Sequence, residues 1–128
     1  MDYTITPSID GMIIMLKIKG NITRKTAMQM NLEAHALGRQ LKVRRYLVDA
    51  TEAKNVDDPL DDYEFAHWDM RQMEGIDKQA RVAALVSPND HSHDFMEMVS
   101  RNAGLQVKIF TDAVEAMRYL METVLPLG

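Results

Sequence analysis

The chain of 128 residues is 46% hydrophobic and 27% charged, which suits one folded domain over residues 1–128 and leaves little room for a second. A net charge of −4 offers no basic excess for nucleic acid, and the lack of cysteine excludes a disulfide framework, a thiol nucleophile and any cysteine-based zinc site. The opening Met1-Asp2-Tyr3-Thr4 has no charged region followed by an apolar run, and the longest apolar stretch, residues 12–16, is too short to cross a bilayer, so a cytoplasmic protein is expected.

Residues 3–7 and 12–19 read as two strands joined at Asp10-Gly11, a pair that favours a hairpin turn. In the second of them Ile14, Leu16 and Ile18 alternate with Lys17 and Lys19, so one face is buried and the other is partly wet. A helix over residues 23–40 carries Ala27, Met30, Ala34, Leu37 and Leu41 on one stripe, with Gly38 weakening its end. Tyr46-Leu47-Val48 forms a third strand, and an acidic loop from Asp49 to Asp58 is expected to follow it.

Asp58-Pro59 starts a second helix, over residues 59–74, with a capping carboxylate and a proline at its first position. At helical spacing Tyr63, Ala66, Met70 and Met73 share one side, while Phe65 and Trp68 point to the other. A helix apolar on two sides is either sandwiched or presents its outer side to something else, so an outer face bearing Phe65 and Trp68 is expected to meet a partner or to lie partly buried under a neighbouring loop. Gly75-Ile76-Asp77 breaks this helix.

A fourth strand over residues 82–86 runs into Ser87-Pro88, which reads as the cap and first position of a third helix, with Phe95, Met98, Val99 and Ala103 buried and Gly104 at its end. A fifth strand over residues 107–110 leads to Asp112 and Glu115, a capping box for a last helix whose apolar side is Ala113, Ala116, Met117, Leu120, Met121 and Val124, stopped by Pro126. The eleven methionines read mainly as core filler, with Met70, Met73, Met96 and Met98 on helices that flank a groove.

Short apolar runs closed by polar turns and followed by helices signal an α/β fold with parallel strands. In such sheets ligands meet the carboxyl ends of the strands. Those turns hold Asp49, Thr51, Asp57, Asp58, Asn89, Asp90 and Asp112 but no assembled catalytic set. His91 and His93 are two residues apart and diverge on a helix, which reads as a solvated helix start rather than a metal site. His35 and His67 read as surface residues. The carboxylates between Asp57 and Asp62 are adjacent and suited to capping, and hydrolysis would require a closed cleft around Asp49, Asp57 and Asp58. Glycine-rich phosphate loops and a G-x-S-x-G elbow are absent from the sequence.

The order of elements resembles the STAS domain and, more narrowly, the SpoIIAA-like (STAS/SEC14-type) group of small bacterial proteins. The residues that carry the resemblance are Lys17-Ile18-Lys19-Gly20-Asn21-Ile22-Thr23, Arg45-Tyr46-Leu47-Val48-Asp49-Ala50-Thr51, Ala80-Arg81-Val82-Ala83-Ala84-Leu85-Val86-Ser87-Pro88, and Val107-Lys108-Ile109-Phe110-Thr111-Asp112-Ala113-Val114-Glu115-Ala116. Nearly the whole chain is covered. The resemblance implies a SpoIIAA-like (βα) superhelix, a mixed, mostly parallel five-stranded sheet with four helices mainly on one face. It also implies action through protein or small-ligand contacts rather than a reaction. Anti-sigma factor antagonists of that superfamily carry a phosphorylatable serine at the start of the helix after the third strand. Here no serine or threonine lies between Thr51 and Ser87, so the serine switch is not expected.

The expected function is therefore that of a non-enzymatic interaction or regulatory module acting on a protein partner or by self-association, as a homodimer. The alternative is a carrier for a small apolar ligand or lipid, of SEC14-like character. The contact candidates are Asp49, Thr51, Asp57, Asp58, Phe65 and Trp68, with no catalytic, cofactor-binding or metal-binding residue and no nucleic-acid partner.

Overall fold

The structure is a computed structural model that describes residues 2–122. Strands β1 (Asp2–Pro7) and β2 (Ile14–Ile22) pair antiparallel. Their turn is closed by Asp10, whose carboxylate accepts hydrogen bonds from the Ser8 hydroxyl and the Met12 amide, while Gly11 takes φ +72°. Helix α1 (Arg24–Leu41) crosses to β3 (Arg45–Asn55), which lies parallel to β2. Helix α2 (Pro59–Glu64) runs into a π-helical segment (Phe65–Met70). Then come β4 (Arg81–Leu85), α3 (Asp94–Asn102), β5 (Gln106–Phe110) and α4 (Ala113–Met121). The sheet order is β1-β2-β3-β4-β5, with only the β1–β2 pair antiparallel. The mixed, mostly parallel five-stranded sheet with four helices is thus the one expected from the sequence.

Alternation along the strands assigns the faces. Leu16, Ile18 and Ala50 point toward α1 and the π-helical segment, in a core completed by Ala27, Met30, Phe65 and Val86. Ala83 points the other way and joins Ile13 with Ala116 and Leu120 of α4. Helices α1, α2 and α3 therefore cover one face and α4 part of the other. Beside α4 that second face is wet, where Lys17 and Lys19 both reach Glu52.

Helix α1 starts at a reciprocal cap between Thr23 and Thr26. Its buried stripe is Ala27, Met30, Ala34, His35 and Gly38, while Leu41 is exposed. His35 was expected at the surface and is instead inside, stacked on Tyr46 at 4.6 Å.

Two boundaries also differ from expectation. Residues Asp49 to Asn55 continue β3, because Gly20, Asn21 and Ile22 of β2 offer them a parallel partner; the acidic loop shrinks to Val56-Asp57-Asp58. Helix α3 begins at Asp94 rather than Pro88, since Ser87 and Asp90 close a tight turn and the Ser87 hydroxyl donates to the Thr51 carbonyl instead of capping a helix. Its buried side is Val99, Ser100 and Ala103, with Phe95 and Met98 exposed. Gly104, at φ +87°, ends α3 as expected. The Leu105 amide donates to the Ser100 carbonyl and the Gly104 amide to that of Arg101, a paired closure that satisfies the last carbonyls. Asp112 caps α4 through the Val114 amide. Val124 and Pro126 lie outside the described residues.

Candidate functional site

The six contact candidates fall in five places. Asp49 and Thr51 shape a bulge in β3. Lys17 faces Asp49 and Lys19 faces Glu52, so β3 spends one residue more than β2 over that interval. The Asp49 carboxylate holds the bulge by accepting from the Thr51 amide at 3.1 Å and the Thr51 hydroxyl at 2.7 Å.

Asp57 and Asp58 stand at two helix starts. Asp58 accepts from the Asp61 amide at 2.9 Å and precedes Pro59, as expected of a cap. Asp57 stands beside the backbone amide of Arg24, the first residue of α1. Burial, reinforced by Asp61 and Asp62, pushes the Asp57 carboxyl up. Asp62 is buried, its carboxyl also pushed up by burial, and accepts from the Asn55 side chain at 2.9 Å. The Asn55 amide donates to Ser92 Oγ, and His93 Nε2 lies 3.2 Å from the Ala53 carbonyl and 3.4 Å from Asp90. A closed polar ring thus joins the carboxyl end of β3 to α2 and to the turn before α3. His93 belongs to this ring rather than to a solvated helix start.

Phe65 and Trp68 part company. Phe65 is 6% exposed and in the core, whereas Trp68 is 65% exposed. An α-helix holds residues three apart on neighbouring sides, but the wider i→i+5 turn of the π-helical segment rotates them away from each other. The expectation of an outer face shared by both aromatics is corrected accordingly. The inward side is Asp62, Phe65, Ala66 and, partly buried, Met70, while Leu60, Tyr63 and Trp68 are exposed. Tyr63 stacks on His67 at 4.3 Å. The segment is tied to α1 by Arg24, whose guanidinium forks onto Asp69 at 2.7 and 2.9 Å and also bonds Glu64. The Asp69 bond, with Glu64, raises the Arg24 pKa and keeps it charged.

Beneath the polar ring lies a cavity of about 150 Å³ between the sheet and the helices. Its sheet wall includes Leu16, Val48, Ala50 and Ala84, and its helix wall includes Met30, Phe65, Met70 and Met96. Asn55, Asp57 and His93 reach it at the carboxyl end of the sheet. A wider recess of about 420 Å³ opens at the far end of α1, beside Arg39, Lys42 and Tyr46. There Arg44 forks onto Asp77 at 2.6 and 2.7 Å and pulls that carboxyl down.

The carboxylates of Asp49, Asp57 and Asp58 are engaged in three separate local tasks and do not converge on a cleft. Among the described residues, no group of three or more His, Asp or Glu side chains is placed to hold a metal ion, and no helix is long and apolar enough to cross a membrane.

No family model and no curated protein matches the sequence. Among solved structures, the chain is similar to an uncharacterized protein of the DUF3478 family with a SpoIIAA-like fold from Shewanella loihica PV-4. The likeness has a TM-score of 0.50 and 21% identity, and covers 93% of this chain and 92% of that one. It shows the SpoIIAA-like fold, the architecture that the strand-and-turn motifs implied.

Proposed function

We propose that this chain is a cytoplasmic, single-domain, non-enzymatic interaction module that engages a protein partner, or a second copy of itself, through the outer side of α2 and the π-helical segment. The observation that carries the reading is Trp68, a large aromatic side chain 65% exposed on a turn anchored by the Arg24 fork. Aromatic side chains held in place at a surface are the usual anchors of protein interfaces, because they bury much area at little entropic cost. Leu60 and Tyr63 extend the apolar surface of α2, and Asp57 and Asp58 give it an acidic border. Light scattering after size exclusion, with a pull-down, tests this on wild type and Trp68→Ala. A dimer or a discrete complex that disappears in the variant, at unchanged melting temperature, is expected. A wild type that stays monomeric and retains no protein sinks the reading.

The interlayer cavity of about 150 Å³ favours a second reading, a carrier for a small apolar ligand. Phe65 then acts as a wall of the site. Native mass spectrometry of freshly purified protein should show a bound small molecule; the bare polypeptide mass alone would count against a carrier.

A further inference from the structure

We propose that the interlayer cavity is a site for one small, uncharged, ring-sized apolar molecule, and that it excludes lipid chains and fatty acids. The inference rests on the carrier reading and narrows its ligand class.

Size sets the first limit. A cavity of about 150 Å³ is close in volume to engineered apolar cavities that accept benzene. Pockets for drug-sized ligands hold about 300–1,000 Å³. The space exists because small side chains face one another across the layer. Ala50 and Ala84 stand on the sheet side and Ala27 on α1, where larger aliphatic residues would close the gap. Met30, Met70 and Met96 line it and can adjust to a guest because their side chains are unbranched.

Polarity sets the second limit. The polar ring at the carboxyl end is satisfied internally, Asp62 by Asn55, Asn55 by Ser92, and His93 against the Ala53 carbonyl. Glu97 is taken up by the Ile109 amide. Among the described residues, the buried side-chain polar atom without a hydrogen-bond partner is Arg81 Nε, on the opposite face of the sheet beside α4. Of the remaining polar lining residues, the Asn31 side chain donates to the Ala27 carbonyl and Ser100 adds a single hydroxyl, so the cavity offers no converging set of donors for a polar head group. Three carboxyl side chains, Asp57, Asp62 and Glu97, stand beside its polar end, and an anionic head would meet them with no lysine or arginine among the lining residues to offset them.

Methionine methyl NMR on the intact chain tests this. Wild type labelled on the methionine methyls would be titrated with benzene and, separately, with decanoate. Benzene should produce saturable shifts at Met30, Met70 and Met96 and leave Met15, Met98 and Met117, which are exposed, unmoved. Decanoate should move none of the inner three. Ala84→Leu, which fills the space, should abolish the benzene response; since wild type carries its own outer controls, the test stands even if that variant folds poorly. Decanoate shifting the inner methyls would overturn the size and charge limits while leaving a carrier in place. Silence from both probes would end the inference together with the carrier reading. Benzene shifts spread equally over inner and outer methyls would overturn the inference as surface binding.

Discussion

Gly38 sits in α1 beneath the Tyr46 hydroxyl, and a Cβ built there would lie 1.9 Å from that oxygen and 2.9 Å from the Val43 carbonyl. Tyr46 is 4% exposed and its stacking on His35 opposes a swing away, even with a recess alongside. Glycine-to-alanine in a helix interior ordinarily gains about 0.8–1 kcal/mol. Overpacking costs about 1–3 kcal/mol, and the fixed Val43 carbonyl at 2.9 Å adds to the Tyr46 clash, so Gly38→Ala should be net destabilising. Urea melts check this, and a stabilised variant would show that the Tyr46 ring has room to shift. His35 carries a second consequence. Burial pushes its imidazole down to about 4, and the neutral Nδ1 accepts the Asp77 amide at 2.9 Å. An unfolded histidine titrates near 6.5. As pH falls through that value the unfolded chain takes up a proton that the folded chain refuses. Stability from this group is complete above about pH 6.5, declines toward pH 4 and is flat below, by up to about 3 kcal/mol. Asp57 and Asp62, raised by burial, act in the opposite sense as pH falls through the carboxylate range. His35→Gln keeps an acceptor for the Asp77 amide and removes the titration. Urea melts of the two proteins between pH 7 and pH 4.5 should show a steep wild type and a flatter variant; equal slopes would contradict it.

Among the elements, the strands and their turns were legible because their signals are local. Alternation in β2, the Asp10-Gly11 turn, the Asp58-Pro59 start and Gly104 each specify backbone within a few residues, and each appears as expected. Three features depended on contacts distant in sequence. β3 extends over Asp49 to Asn55 because β2 continues alongside it, although the acidic composition there reads as loop. Asp62 is buried because Asn55 satisfies it, so the inward stripe of α2 includes a carboxylate that any apolar count would discard. The π-helical turn then shifts the phase after Glu64. A reading at a uniform 3.6-residue period therefore put Phe65 on the side of Trp68 and Tyr63 on the side of Ala66. Of the candidate site, Trp68 was legible as an apolar residue off the main stripe, and Asp58 as a cap. The cavity left a fainter trace in Ala50 and Ala84, small residues on the buried side of central strands. What makes them a cavity is the distance at which the helices stand, which no local pattern contains.

On the scale of the molecule, the two faces of the sheet are held by different means. The face under α1, the π-helical segment and α3 is closed by apolar packing around a residual space and by the Arg24 fork. The face under α4 depends on fewer large side chains, with Ala116 and Leu120 of the helix meeting Ile13 and Ala83. There the start of the sheet reaches up to the end of the helix. Arg45 and Arg81, paired across β3 and β4, donate to the carbonyls of Leu120 at 2.7 Å and Tyr119 at 2.9 Å. These are the last-turn carbonyls that a helix leaves without internal donors, and positive charge is favoured there. Hydrogen bonds from charged donors contribute about 1.5–3 kcal/mol each, so Arg45→Ala and Arg81→Ala should each lower stability by that order. Because both serve one helix end, their effects should not add: once either is gone the end of α4 frays and the second bond is weakened, giving a double variant less destabilised than the sum. Denaturant melts of the four proteins measure that coupling. Strict additivity with small single effects would mean that Ala116 and Leu120 hold α4 unaided. Trp68 lies on the opposite side of the sheet, so complex formation by the folded fraction should be the same in all four.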